Sequence, residues 1–244
     1  MTPEALLLAA AFFAAALLYA SVGHAGASAY LAAMALVGLA PETMRPTALV
    51  LNLFVASIVV VRFARAGQLP WRQLLPLAAG SVPMAFVGGS IELPGEVYRS
   101  LVAFVLLAAA WRLATGGAAE QPGRGVPVIG GIVAGAGIGL LAGLTGTGGG
   151  IFLTPLLVLA GWTRAREAAG LSGAFILVNS LSGLVGVSAG GMSLSPALPL
   201  WVIAVVAGGL IGSWLGAARF SILNLRRALA LVLVLAAAKL LFLP

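Results

Sequence analysis

Apolar segments about as long as a bilayer is thick follow one another along almost the whole chain. A helix needs about 20 apolar residues, with a range of about 17–25, to cross the hydrocarbon core. Of the 244 residues, 61% are hydrophobic and 8% are charged, whereas soluble domains carry about 25% charged residues. The chain is therefore predicted to be an all-α integral membrane protein with ten segments, at 4–20, 27–40, 44–64, 71–90, 97–114, 126–143, 149–161, 166–188, 196–217 and 225–243.

Two glycine-rich runs interrupt this pattern, and each directly precedes an unusually short segment. One run is Leu144-Thr145-Gly146-Thr147-Gly148-Gly149-Gly150. Its counterpart in the first half of the chain is Ser21-Val22-Gly23-His24-Ala25-Gly26-Ala27. Glycine is unfavourable inside helices and lets other groups approach the backbone closely. We therefore predict a break in the helix at each run, followed by a short or re-entrant helix at 27–40 and at 149–161.

The two halves of the chain resemble each other around these runs. An offset of 123 residues aligns Gly23 with Gly146, and the same offset aligns Gly26 with Gly149. This predicts a first membrane repeat at 1–115, a linker at 116–125 and a second repeat at 126–244, with five segments in each repeat. Because five is an odd number, the second repeat is predicted to be inverted in the bilayer relative to the first.

The distribution of basic residues supports the count of ten segments. With ten segments, one face receives ten arginines and the other receives three basic residues, and cytoplasmic loops are the ones enriched in Lys and Arg. If each run were only a kink in a longer helix, the residues would divide six against seven. Both termini are therefore predicted to lie outside, although re-entrant hairpins give the same parity. The two groups are Arg62, Arg65, Arg72, Arg112, Arg124, Arg164, Arg166, Arg219, Arg226 and Arg227 on one face, and Arg45, Arg99 and Lys239 on the other.

The glycine-rich runs have the composition of an anion-binding site. Irregular backbone at membrane depth is tolerated where it lines a cavity. Glycine-rich turns expose consecutive N–H groups, and the start of the following helix adds the positive end of its dipole. The alternative is that these glycines only let helices pack closely. The predicted substrate-binding residues are Gly23, His24, Gly26, Asn52, Thr145, Gly146, Thr147, Gly148, Gly149, Gly150 and Asn179.

Several polar residues have two interpretations each. His24 is the only histidine, and it either carries a coupling proton or binds an anion, or it is a polar residue bonded to a neighbouring helix. Asn52 and Asn179 lie in the third segment of each half and either bind substrate or bond to another helix. Arg45 either guides anions into an outer vestibule or extends to the lipid headgroups.

Other functional classes lack the residues that they require. There is no cysteine, and no Asp or Glu lies near His24 in the sequence, so we expect no metal site, and we also expect no cofactor. No acidic residue lies at the centre of a predicted helix, which argues against a pump that uses a carboxylate relay. No Walker motif and no nucleophile pair is present, and we predict that the chain is not an enzyme. The basic residues are dispersed between apolar segments, which argues against a nucleic-acid partner despite the net charge of +7.

The second run and the residues after it resemble a known signature. The stretch Gly146-Thr147-Gly148-Gly149-Gly150-Ile151-Phe152-Leu153-Thr154-Pro155-Leu156-Leu157 is similar to the glycine-rich motif of the TauE/SafE family of sulfite and organosulfonate exporters. The size, the duplication and the repeated break are also similar to that family. The first run departs from the family pattern, because Ala25 and Ala27 replace glycines and Ala32 stands where proline is usual.

This resemblance implies a secondary transporter in the inner membrane. We expect it to export a small anion, such as sulfite, sulfoacetate or another organosulfur or carboxylate compound, by alternating access at the paired breaks. The expected partners are this anion, the lipid bilayer and, if transport is coupled, a proton. A passive anion channel is the alternative, and a scaffold subunit is a further competitor. The sequence leaves the exact substrate, the coupling ion, the direction of transport and the oligomeric state open.

Overall fold

The computed structural model describes residues 2–115, 123–215 and 223–242, and within these ranges it contains helices and no strand. The helices are α1 (Pro3–Ser21), α2 (Ala27–Val37), α3 (Pro41–Arg65), α4 (Trp71–Ser90), α5 (Gly95–Thr115), α6 (Val128–Thr145), α7 (Gly150–Leu159), α8 (Ala165–Ser188), α9 (Leu198–Leu215) and α10 (Leu223–Phe242).

Each predicted segment coincides with one of these helices, and the bounds differ by at most three residues. Among the described residues, five helices are long and apolar enough to cross a membrane, namely α1, α3, α6, α8 and α9. The two short helices, α2 and α7, have 11 and 10 residues. A helix of that length spans about 16 Å, roughly half of the hydrocarbon core. The all-helical prediction is therefore confirmed.

Parts of the earlier predictions fall on residues outside the described ranges. Residues 116–122 of the predicted linker and Arg219 are among them, and so are the side chains of Arg112, Arg226 and Arg227. The repeat boundaries at 115 and 126 stay predictions.

The helices pack together so that most of the extensive contacts join a helix from the first half of the chain to a helix from the second half. Helix α4 packs along α6, and α1 packs along α9. Helices α3 and α8 contact each other, α4 also contacts α8, and α3 also contacts α9. Helix α5 packs on α10. The short helices lie against the long third helix of their own half, α2 on α3 and α7 on α8. This arrangement places both breaks between α3 and α8.

Glycines allow α4 and α6 to approach until their backbones touch. A Cβ on Gly139 of α6 would collide with the carbonyl oxygen of Ser81, and one on Gly80 of α4 would collide with that of Ile132. Helix α9 meets α1 in the same way, because a Cβ on Gly212 would collide with the Leu17 carbonyl. In a membrane, where lipid is as apolar as the side chains, such close contact is a main source of helix association.

We expect Gly139→Val to destabilise the protein strongly, because the added side chain pushes α6 away from α4. Gly137→Val is the matched control, since a Cβ at Gly137 meets no atom within 4 Å among the described residues. Both changes place the same β-branched residue in α6, so they share its lower helix propensity. Thermal unfolding in detergent should show a clearly lower midpoint for Gly139→Val alone. Equal midpoints would contradict this account of the α4–α6 interface.

Candidate functional site

Two backbone breaks divide helices inside the protein. The first break, residues 22–26, joins α1 to α2, and the second break, residues 146–149, joins α6 to α7. Both short helices start after a glycine in the left-handed region, with φ of 101° at Gly26 and 82° at Gly149. Left-handed backbone is costly for residues with a Cβ, so the glycines permit these tight turns.

Each break packs against the third helix of the other half. A Cβ on Gly23 would lie 2.6 Å from the Cβ of Ala169 in α8. A Cβ on Gly148 would lie 3.0 Å from Nδ2 of Asn52 in α3. Asn52 is the twelfth of the 25 residues of α3, so the second break lies beside the middle of that helix.

The first break also meets the start of α7, directly after the second break. A Cβ placed on Gly150 would lie 3.5 Å from Cδ2 of His24 and would collide with the side chain of Ile176. Ile176 is the twelfth of the 24 residues of α8, and it also contacts Gly148. His24, the second break and the midpoints of α3 and α8 therefore converge on one region.

A chain of hydrogen bonds starts at His24 and crosses to the second half. Nε2 of His24 lies 2.9 Å from Oγ1 of Thr154, which lies 2.6 Å from Oγ of Ser172. Nδ1 of His24 lies 3.2 Å from the carbonyl oxygen of Val22, which only accepts, so Nδ1–H is the donor. In the neutral ring, Nε2 then accepts from the Thr154 hydroxyl, and Ser172 donates to Thr154. A protonated ring would reverse the direction of both bonds.

A second polar group surrounds Gly148. Nδ2 of Asn52 donates to Oγ of Ser180 at 3.2 Å, and Oγ of Ser180 lies 3.0 Å from a Cβ placed on Gly148. Ser172, Ile176 and Ser180 are four residues apart and therefore share one face of α8. The hydrogen-bond chain of His24 and the amide of Asn52 therefore contact the same face of α8, at Ser172 and Ser180, which are about 12 Å apart by helical rise.

Buried amide and hydroxyl groups in this region lack partners. Asn52 and Asn179 are both completely buried. Within the described part of the chain, Oδ1 of Asn52 and both polar atoms of the Asn179 side chain have no hydrogen-bond partner, and the same holds for Oγ1 of Thr47. An unsatisfied buried polar group costs about 1–3 kcal/mol, and native proteins usually pair such groups with protein, water or ligand.

The starts of α2 and α7 add backbone donors to the same region. The N-terminal residues of both helices are buried, and neither helix has a side-chain cap among the described residues. In contrast, Thr2 caps α1 with its hydroxyl. The first N–H groups of a helix have no partner within the helix. Buried and uncapped, the two helix starts can donate to a negatively charged or strongly polar group.

Two cavities lie at opposite ends of α3, which is about 37 Å long by helical rise. The Arg45 cavity has a volume of about 290 Å³ and includes Arg45, Glu42 and Glu92 in its lining. The Arg62 cavity has a volume of about 430 Å³ and is lined in part by Arg62 and Arg166. Each cavity borders a break: Val22 lines the Arg62 cavity, and the backbone oxygen of Arg45 lies 3.0 Å from a Cβ placed on Gly146.

Comparison with known proteins establishes the relationship of the chain. The model of the family described as "Sulfite exporter TauE/SafE" matches residues 7–240. The chain belongs to the sulfite exporter TauE/SafE family. A relative from Sinorhizobium fredii (strain NBRC 101917 / NGR234), named "Probable membrane transporter protein y4hK", is 39% identical over 247 residues, which cover 99% of this chain and 100% of the relative. No solved structure matches the chain.

These findings confirm the resemblance that the glycine-rich signature indicated. The TauE/SafE protein is a membrane transporter and not an enzyme. Within the part of the chain that the structure describes, no group of three or more His, Asp or Glu side chains could hold a metal ion.

Thr145 and Thr147, which precede and follow Gly146, have partners of their own in this TauE/SafE protein. Oγ1 of Thr145 donates to the carbonyl oxygen of Leu141 at 2.6 Å, and it lies 2.9 Å from Oγ1 of Thr147. The hydroxyl of Tyr98 donates to the Thr145 carbonyl oxygen at 3.3 Å. The two threonines thus fix the turn at the end of α6.

Arg45 lines the Arg45 cavity, so the vestibule interpretation stays a prediction, whereas its bonds differ from those of an arginine that extends to the lipid headgroups. Its side chain is buried, and its guanidinium donates to three carbonyl oxygens, those of Gly88, Ile91 and Gly143. Gly88 lies in the last turn of α4 and Ile91 directly follows that helix, whereas Gly143 belongs to α6. Arg45 therefore connects α3, α4 and α6 beside the second break and does not extend to the headgroups.

Three polar residues near the breaks, Thr154, Ser172 and Ser180, were not among the predicted site residues. Thr154 joins His24 to Ser172, and Ser180 accepts from Asn52. Thr154 lies within the signature stretch in the sequence, and this position was the available signal. Ser180 directly follows Asn179, but nothing in an isolated sequence distinguishes it from other helix serines.

Proposed function

We propose that this TauE/SafE protein exports a small anion, such as sulfite, sulfoacetate or another organosulfur or carboxylate compound, by alternating access. The anion would bind between the two breaks, where the starts of α2 and α7 supply N–H groups and Asn52, Asn179 and His24 supply side-chain contacts. The family description, which names sulfite exporters, supports the substrate class.

The observation that carries this proposal is the amide of Asn179. It is completely buried in a membrane transporter, and neither its Nδ2 nor its Oδ1 has a partner among the described residues. An oxyanion accepts hydrogen bonds and would satisfy Nδ2 directly. An anion with a hydroxyl or acid proton, such as hydrogen sulfite, would satisfy Oδ1 as well.

We further propose that the two halves are inverted repeats. The glycines aligned by the offset of 123 residues share a left-handed backbone, with φ of 85° and 82° at Gly23 and Gly146. Packing partners also correspond when each helix is exchanged for its counterpart: α4 on α6 becomes α9 on α1, and α4 on α8 becomes α9 on α3. Inverted repeats with broken helices at their interface are a common basis for alternating access.

The orientation follows in this proposal from the arginine bias of the sequence. The end of α3 that carries Arg62 faces the cytoplasm of an inner membrane, and both termini lie outside. Moving one negative charge out of a cell that is 100 mV negative inside releases about 2.3 kcal/mol. Export of an anion therefore needs little additional coupling.

A coupling proton would reside on His24. Histidine titrates near neutral pH, and protonation would reverse the hydrogen bonds to Thr154 and Ser172 described above. The Ser172 hydroxyl, which donates to Thr154 when the ring is neutral, would then become free to donate elsewhere. This links the charge of His24 to the donors available along α8.

Flux in proteoliposomes tests the proposal. We expect saturable uptake of sulfite or a related anion, accelerated by the same anion on the opposite side of the membrane, because a carrier returns faster when loaded. Saturable flux without this acceleration would favour the passive channel. A pH gradient should stimulate the wild type more than His24→Gln. If none of sulfite, sulfoacetate and short carboxylates is transported or raises the melting temperature, the proposal is wrong.

A further inference from the structure

The two cavities differ in the charges that line them. Among the described residues that line the Arg62 cavity, the charged ones are Arg62 and Arg166. The Arg45 cavity contains the carboxylates of Glu42 and Glu92, both exposed, and the one arginine among its described lining residues is buried and bonded to three carbonyl oxygens. One end of the protein therefore presents positive charge to a solute, and the other presents mainly negative charge.

Arg62 and Arg166 approach the Arg62 cavity from two different helices. Arg62 lies in the last turn of α3, is half-buried, and donates from Nη2 to the carbonyl oxygen of Trp214 at 3.4 Å. Arg166 is the second residue of α8 and is exposed. The neighbouring carboxylate of Glu167 accepts a hydrogen bond from the backbone N of Arg164 at 3.4 Å, at the start of its own helix.

The Arg62 cavity leads directly to the first break. Val22, the first residue of that break, lines the cavity, and its carbonyl oxygen accepts from Nδ1 of His24. Ala169 also lines the cavity and contacts Gly23. An anion held in this cavity would therefore lie beside Val22, whose carbonyl oxygen is bonded to His24 at the start of the hydrogen-bond chain.

We propose that Arg62 and Arg166 form an access site that captures small oxyanions and carboxylates before they reach the breaks. This inference rests on the proposed function. The access site recognises charge and not shape, so it raises the local concentration of any small anion at this end of the protein. The carboxylates of the Arg45 cavity disfavour capture from the opposite end, so the two ends differ in how strongly they attract an anion, while the electrochemical gradient sets the direction of net movement.

The absence of cysteine from the sequence makes a direct electrostatic test possible. Ala66 is exposed and lines the Arg62 cavity, so Ala66→Cys introduces one reactive thiol there. The measured quantity is the ratio of two modification rates, that of a negatively charged methanethiosulfonate to that of a positively charged one. We expect this ratio to be higher for the thiol of Ala66→Cys than for a thiol at an exposed control position. In Arg62→Gln/Arg166→Gln, this ratio should fall by about fivefold, since exposed charges interact modestly. The difference should disappear in concentrated salt.

The matched control is Arg65→Gln/Arg164→Gln. It removes the same net charge from the same ends of α3 and α8, but neither residue is among those that line the cavity. An unchanged ratio in Arg62→Gln/Arg166→Gln, or an equal fall in the control pair, would overturn the access site.

Transport gives the second readout. Arg62→Gln/Arg166→Gln should raise KM about fivefold for anions offered at the Arg62 end, with kcat for transport from that end nearly unchanged. The failures are distinguishable. If the wild type transports anions but KM does not change, the access site is wrong. If no anion is transported while the labelling ratio still falls, the proposed function fails and the access site is retained.

Discussion

Gly148→Ala is expected to reduce anion transport by at least about tenfold, the effect of losing roughly 1.4 kcal/mol of substrate stabilisation. The new Cβ would lie 2.8 Å from Cγ2 of Ile176 and 3.0 Å from both Nδ2 of Asn52 and Oγ of Ser180. These distances are too short, so the methyl group must displace the second break or the Asn52–Ser180 pair. Initial rates of flux in proteoliposomes, at matched protein content, measure the effect.

The control for Gly148→Ala must separate crowding at the site from backbone strain. Gly148 has φ of 71°, and alanine in that region costs about 1–2 kcal/mol by itself. Gly67 has φ of 67°, and a Cβ there meets no atom within 4 Å in the described part of the protein. Gly67→Ala therefore carries the strain without the crowding. Equal transport losses in the two variants would show that the second break is only a strained turn.

The helices could be predicted from the sequence because their signal is local. The segment 71–90 coincides with α4, and even the short helices α2 and α7 were expected from their length and the glycines before them. Helix termini depend on the same local features, such as Pro41 at the start of α3. The packing of one helix on another depends on which faces meet, and ten apolar helices offer many alternatives.

Glycines at the helix interfaces and glycines at the breaks differ in their surroundings and backbone conformation. Gly139 and Gly212 let helices touch, as the packing alternative states. Gly148 and Gly149 adopt left-handed backbone at a break and lie beside side chains of α3 or α8. Composition alone cannot separate these two uses, because both need the same absence of a side chain.

The polar contacts of the candidate site were less predictable than its location. His24 and Thr154 are 130 residues apart, and Asn52 and Ser180 are 128 residues apart. Such pairs arise only from tertiary packing, so a single sequence gives no sign of them. The role of Arg45 was missed for a related reason, since its partners are backbone carbonyl oxygens, which every residue possesses.

Asn179→Leu should make the unliganded protein more stable and at the same time remove most of its transport. Leucine has the same number and branching of side-chain heavy atoms as asparagine and has no polar group to satisfy. The change should therefore recover part of the about 1–3 kcal/mol that a buried, unpartnered amide costs. If an anion normally satisfies that amide, the variant should also lose the rise in melting temperature that the anion produces in the wild type. Thermal unfolding with and without the anion measures both effects on one sample.

A substitution that raises stability and lowers transport identifies a binding residue, whereas one that lowers stability identifies a structural residue. Ser182, one turn further along α8, provides the comparison, because its Oγ already donates to the carbonyl oxygen of Val82 at 2.6 Å. Ser182→Ala should lower stability by about 0.5–1.5 kcal/mol, the usual net value of such a bond, and leave the anion-induced shift intact. If Asn179→Leu behaves like Ser182→Ala, Asn179 has a partner in the native protein that stabilises the helices. A more stable protein that no longer responds to the anion would instead mean that the buried amide is retained for its ligand, at the expense of the stability of the empty transporter.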